Sequence, residues 1–211
     1  MKKVILSFIA VSVLISILIV SCNKNQEVTT PQTNSLSSKS ESQKINIVNA
    51  DADWKFIASK NLETISKLVN SKIDVNKFDF TSEEGFLKAI GVDKTQYLND
   101  TKAVKAAANR LIAKYNLSSS ATGECISCKT NNDESIAKIK RTITLLRENK
   151  ASFTKFQALL SSPNLNLVDP GDGGCCGWRF YACVTFCAAS IEIFPVYLMC
   201  CAICYDTYCC H

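Results

Sequence analysis

The chain has 211 residues, 47% of them hydrophobic and 20% charged, with a formal net charge of +5. That length suits one modest domain with appendages and excludes two full-sized ones. The positive charge is too small and too dispersed for a nucleic-acid binder, which carries a basic stripe or cluster, and loss of Lys2 and Lys3 with a leader would lower it to +3.

Lys2 and Lys3 precede an apolar run of 17 residues from Val4 to Val20, the pattern of an export signal rather than of a fold element. The run closes in Ile19-Val20-Ser21-Cys22. This tetrad resembles the lipobox of bacterial lipoproteins, in which the cysteine is acylated, the peptide before it is cleaved, and the new terminus sits in a membrane. The resemblance covers residues 1–22. It implies a signal peptide over 1–21, a palmitate-type lipid on Cys22, and a membrane partner reached through that anchor. Asn23 follows the cysteine where Asp would favour the inner membrane, so the resemblance implies the outer membrane of a bacterial envelope. The competing reading is an uncleaved anchor, since such a run lies near the lower limit for a span. Both readings take the rest of the chain out of the cytoplasm.

From Asn23 to about Ile45 the chain is built of Asn, Gln, Thr, Ser, Lys and Glu, with Pro31 and hardly any large apolar side chain. Such a composition buries too little surface to offset ordering, so residues 22–49 are expected to be the lipidated cysteine and a tether. Residues 50–162 read as a helical domain. Trp54, Ile57, Leu62, Ile65, Leu68 and Val69 recur at helical spacing, with Lys55, Lys60, Glu63 and Lys67 left for the wet side. Thr81-x-x-Glu84 has the form of a capping box opening a short helix through Phe86, Leu87 and Ile90, stopped by Gly91. Val104, Ala108, Leu111, Ile112 and Tyr115 mark a third helix. A fourth begins near Asp133 with Ile136, Ile139, Ile143 and Leu146, and Phe153, Phe156, Leu159 and Leu160 continue the pattern to Pro163. Strand-like alternation is nearly absent, so the expected fold is all-α, a small helical bundle. Residues 163–174, ending in Asp169-Pro170-Gly171-Asp172-Gly173-Gly174, form a Pro/Gly hinge.

Residues 175–211 hold nine of the 12 cysteines. Within them, Cys183, Cys187, Cys200 and Cys204 make a C-x3-C-x12-C-x3-C frame. Cysteines four apart share one helix face, and the nested positions satisfy the constant sum that an antiparallel hairpin requires if its arms are bonded rung by rung. In an exported chain a disulfide framework is the default, and a segment this small needs staples. Pro195 breaks the backbone where a hairpin must turn. Cys176 with Cys209 or Cys210 would add an outer rung. The frame resembles that of the α-hairpinins, helix–loop–helix peptides bonded first-to-fourth and second-to-third, which implies Cys183 with Cys204 and Cys187 with Cys200. The resemblance spans 22 residues and carries over architecture alone, because the segment between the motifs is apolar here.

Adjacent cysteines bond different partners as a rule. The spare members of Cys175-Cys176, Cys200-Cys201 and Cys209-Cys210 are therefore expected to reach Cys125 and Cys128 and clamp the tail onto the bundle. If Cys22 is lipidated, 11 thiols remain. One must stay free, bind something, or bridge to another chain as a disulfide-linked homodimer.

Three chemical readings compete with a staple. Cys125-Ile126-Ser127-Cys128 has the spacing of a thioredoxin-type motif, but no βαβ pattern surrounds it. Cys125 and Cys128 with Cys201 and Cys204 would make a four-cysteine zinc set, though 72 residues separate the two pairs. One histidine, His211, and no G-x-S-x-G leave Ser-His and Cys-His nucleophiles without a base. Glu192 is the one charge between Phe180 and Tyr205 and reads as a charge at the hairpin turn. The sequence therefore points to no catalytic residue, no metal site and no cofactor. The expected protein is an exported, lipid-anchored envelope protein with a non-catalytic binding or structural role. The alternative is a membrane-active effector acting through its apolar, aromatic-rich tail, whose cysteine content is loosely similar to that of bacteriocin-like peptides.

Overall fold

The structure is a computed structural model that describes residues 36–117, 132–161, 177–190 and 199–209. The signal region, Cys22, most of the tether, Cys125, Cys128, the hinge, Cys175, Cys176, Glu192, Pro195, Cys210 and His211 lie outside the described residues. These comprise eight helices and no strand, the all-α class that the apolar periodicity requires.

Five of the eight helices begin where a short polar side chain catches an orphaned amide. Helix α1 (Glu41–Ala50) opens on a capping box. The Gln43 amide donates to Ser40 Oγ at 3.4 Å, and the Ser40 amide donates to Gln43 Oε1 at 3.1 Å. This helix occupies part of the stretch expected as a tether. Its Ile45, Val48 and Asn49 are buried, and Leu36 before it is 3% exposed, so the chain joins the core well before residue 49. Helix α2 (Ala52–Asn70) follows at once, capped by Asp51, which accepts from the Asp53 amide at 2.8 Å. Helix α3 (Glu83–Ile90) is capped by Ser82, whose Oγ accepts from the Gly85 amide at 3.2 Å. The expected cap, Thr81, lies one residue too early, and its hydroxyl donates to Asp79 Oδ1 at 2.5 Å instead. Gly91 ends α3 at φ 65°, a left-handed conformation that costs glycine nothing.

Helix α4 (Lys94–Tyr115) starts at Asp93, which accepts from the Gln96 amide at 2.9 Å. The apolar pattern after Asp133 divides into α5 (Asn132–Glu148) and α6 (Lys150–Ser161). Asn149 makes the break: its amide closes α5 on Leu145 O at 2.9 Å, and its Oδ1 accepts the Ser152 amide at 3.1 Å to open α6. The cysteine-rich tail supplies α7 (Trp178–Ser190) and α8 (Cys200–Tyr208).

Helix α2 lies at the centre and packs against every other described helix. Trp54, Ile57, Ile65 and Leu68 on its length have no exposed surface. Burying such a helix leaves its end groups in need of partners. Arg147 of α5 meets that need at the C-terminus. Its guanidinium donates to Leu68 O at 2.6 Å, Ile73 O at 2.8 Å and Val69 O at 3.1 Å. At the N-terminus, Asp51 Oδ2 receives Lys114 Nζ at 2.6 Å and the Tyr115 hydroxyl at 2.8 Å, both from the end of α4. Burial pushes the Asp51 carboxyl up, but the bonds from Lys114, Tyr115 and the Asp53 amide outweigh it, and it titrates below its ordinary 3.8.

The tail is not a separate hairpin. Residues Asn34–His211 form one compact unit, with α7 against α4 and α1, and α8 against α5. Phe180, Val184, Ala188, Ala202 and Ile203 are fully buried. Arg141 of α5 holds Asp206 of α8 through two bonds of 3.0 and 2.7 Å. The hydrophobic driving force that a free hairpin of this size lacks is supplied by the bundle.

Replacing Arg147 by Ala should lower stability by about 2–3 kcal/mol in urea unfolding, because carbonyls at the buried end of α2 lose a charged donor. Arg147→Lys should recover only part of this, since one ammonium cannot serve the three directions of the fork. Asp51→Asn keeps a capping oxygen and removes the charge, at a cost of about 1–2 kcal/mol near neutral pH. A carboxyl lowered by folding stabilises above its unfolded pKa and loses that contribution as pH falls through the folded value. Thermal midpoints of wild type and Asp51→Asn should therefore differ at pH 7 and converge as the pH drops below about 4.

Candidate functional site

The candidate site is the sulfur-rich contact between α7 and α8. Cys183 is bonded to Cys204 with Cα atoms 5.9 Å apart, and Cys187 to Cys200 at 5.7 Å. This is the nested order of an antiparallel helical hairpin. Spacing of four on each arm stacks the two sulfurs one turn apart, so one helix pair accepts two rungs. All four cysteines are buried, at most 2% exposed. Cys209 is also in a disulfide, and its expected partner Cys176 lies outside the described residues.

Cys201 is the free cysteine among the described residues. It is not used to clamp the tail to another loop. Its side chain has no exposed surface, and burial pushes the thiol well above its ordinary range. Protonated and sealed, it is a poor nucleophile, and a bridge through it to a second chain would require the core to open. The four-cysteine zinc set is also short of a ligand, because the Cys204 sulfur is committed to Cys183.

Polar groups from three other helices surround this contact. Asn61 of α2 is fully buried; its Nδ2 donates to Ile57 O at 3.0 Å and its Oδ1 accepts the Cys201 amide at 3.1 Å. Thr142 of α5 donates its hydroxyl to Ala202 O at 2.9 Å. Asn49 Nδ2 donates to the Tyr181 hydroxyl at 3.3 Å, which itself donates to Leu159 O at 3.4 Å. The Tyr181 ring lies 4.8 Å from that of Trp54. Burial holds the Tyr181 phenol far above its usual range, so it stays a neutral hydrogen-bonding group. These bonds pair the buried side chains of Asn61, Thr142, Asn49 and Tyr181, while Trp54 Nε1 beside them has no hydrogen-bond partner.

The sequence singles out the cysteines and counts Tyr181 among the aromatics of an apolar tail, while Asn61 and Asn49 went unmarked. A signal for Asn61 was present. It stands four residues after Ile57 and four before Ile65, on the buried stripe of α2, where an amide needs a partner from another helix.

A surface groove of about 460 Å³ runs between α2 and α6, with Leu62, Leu160 and Asn49 among its walls and Lys55, Glu63 and Gln157 at its rim. The hydrogen bond from Lys67 holds the Glu63 carboxyl below its usual range, against a smaller opposing effect of burial, which makes it a paired surface carboxylate rather than a general acid. No described helix is long and apolar enough to cross a membrane. No family model, curated protein or solved structure matches this chain.

Removing either staple lengthens the loops open to the unfolded chain. With sequence separations of 21 and 13, loop entropy assigns about 3 kcal/mol to each bond, slightly more to the outer one. Urea titration of the Cys183→Ala/Cys204→Ala and Cys187→Ala/Cys200→Ala variants should show losses of about that size, with the outer pair losing no less than the inner.

Proposed function

We propose that this chain is an exported envelope protein, held to a membrane by a lipid on Cys22, whose helical unit has a non-catalytic binding or structural role. The observation that carries the reading is the pair of disulfides buried in the core, Cys183–Cys204 and Cys187–Cys200. Staples of this kind persist where thiols are not kept reduced, which agrees with a leader ending in Ile19-Val20-Ser21-Cys22. A non-catalytic role fits described sulfurs that are bonded or, at Cys201, sealed in the core. A membrane-active tail would first have to withdraw Phe180, Tyr181, Val184 and Ile203 from the core. Burial of those side chains favours the anchored, folded unit over that alternative.

Cells expressing the full chain and fed an alkyne-tagged fatty acid should incorporate the tag, and Cys22→Ser should abolish it. Density fractionation should place the tagged protein with outer-membrane markers. A tag that survives Cys22→Ser, or a wild-type chain that takes up none, rejects the anchor.

A further inference from the structure

Two neighbouring sulfurs stand at the start of α8, and one of them is oxidised. Cys200 is bonded to Cys187, while Cys201 is a free thiol. A helix turns by about 100° per residue, so rotation of α8 about its axis decides which of the two meets α7. The first turn of α8 brings no cap of its own to hold that rotation before both rungs close. Met199, at the cap position, makes no side-chain hydrogen bond to the first turn.

The rotation is set from outside. Asn61 Oδ1 accepts the Cys201 amide, and Nδ2 of the same side chain is tied to Ile57 O, so the amide is fixed at both ends. Asn61 therefore does for α8 what an N-cap residue does, from a helix 140 positions earlier in the chain. Thr142, on Ala202 O in the same turn, supports this orientation. We infer that Asn61 is a positioning residue that selects Cys200 over Cys201 as the partner of Cys187.

The first exchange toward the competing species is an isomerisation and needs no oxidant. The Cys201 thiolate attacks Cys187 Sγ, a Cys187–Cys201 bond forms, and the Cys187–Cys200 bond breaks. Cys200 leaves as a thiolate and takes up the proton that Cys201 gave away. In that register α8 is advanced by one residue, and Tyr205 comes to the level of Cys183 where Cys204 stood. The second rung has no partner at that level and opens by exchange with two reduced glutathiones, which leave as glutathione disulfide while Cys183 and Cys204 become thiols, so the frame keeps both rungs in one register only. The choice settles as the core closes and Asn61 meets the Cys201 amide.

The test uses the full chain, reduced and refolded in a glutathione/glutathione-disulfide buffer, then denatured and alkylated. Tandem mass spectrometry then reads which of Cys200 and Cys201 carries the alkyl group. Wild type should be labelled on Cys201. Asn61→Ala should raise the fraction labelled on Cys200 about tenfold, the weight of one buried hydrogen bond. Asn61→Ala combined with Cys201→Ala should return Cys200 to its disulfide, because its competitor is gone. A wild-type labelling pattern in Asn61→Ala overturns the inference. So does a double variant in which Cys200 is still alkylated, which would mean the whole hairpin rather than its register had been lost.

Discussion

Helix α2 is enclosed by its neighbours, and polar groups at its start, middle and end are answered by other elements. Three such answers organise the molecule. Lys114 and Tyr115 of α4 close on Asp51 at its start, the Cys201 amide of α8 meets Asn61 at its middle, and Arg147 of α5 gathers the carbonyls at its end. An apolar helix surface would pack in many orientations at similar energy, because hydrophobic burial is not directional. Buried hydrogen bonds are directional, and leaving one unmade costs more than making it gains. The three contacts therefore fix where α4, α5 and α8 sit along α2, while the apolar stripe supplies the bulk of the stabilisation.

The cysteine-rich tail takes its place in this scheme as core. Its apolar composition is what a membrane-seeking segment and a buried helix pair have in common, and composition cannot separate them. Partners do. Phe156 meets Tyr205 edge-on at 5.1 Å, Trp54 meets Tyr181, and Arg141 holds Asp206 at the rim. The disulfides are thus added to a pair of helices already driven together by burial. Their contribution is to narrow the unfolded ensemble and hold one register, rather than to replace a missing core.

Much of the fold was legible in the sequence because helix periodicity is a local property. The stripes at Trp54–Val69 and at Val104–Tyr115 became helices with those faces inward, and Gly91 ended α3 in the left-handed conformation. The departures came where two local signals competed. Thr81 and Ser82 both offer a capping hydroxyl, and Asp79 takes the first, leaving Ser82 to cap. Asn149 reads as one polar residue in a long apolar pattern, yet its side chain ends one helix and starts the next. Ser40 and Gln43 form a capping box inside a stretch whose overall polarity suggests a tether. The cysteine frame was legible because four positions carry their own geometry. The bonds from Asn61, Thr142 and Asn49 were not, since nothing local in a chain names a partner 60 to 140 residues away.

Burial of the rungs also has a kinetic side. A reductant cannot attack a sulfur it cannot touch, and all four bridging cysteines lie beneath the surface of the unit. The staples are then cut only through openings in which α7 and α8 separate from the bundle. The same bonds make that separation rare. Fold and crosslink thus shield each other, and their loss is coupled: the first opening event long enough to admit a thiol also exposes Cys201, whose exchange with the neighbouring rungs would scramble the register and slow the return.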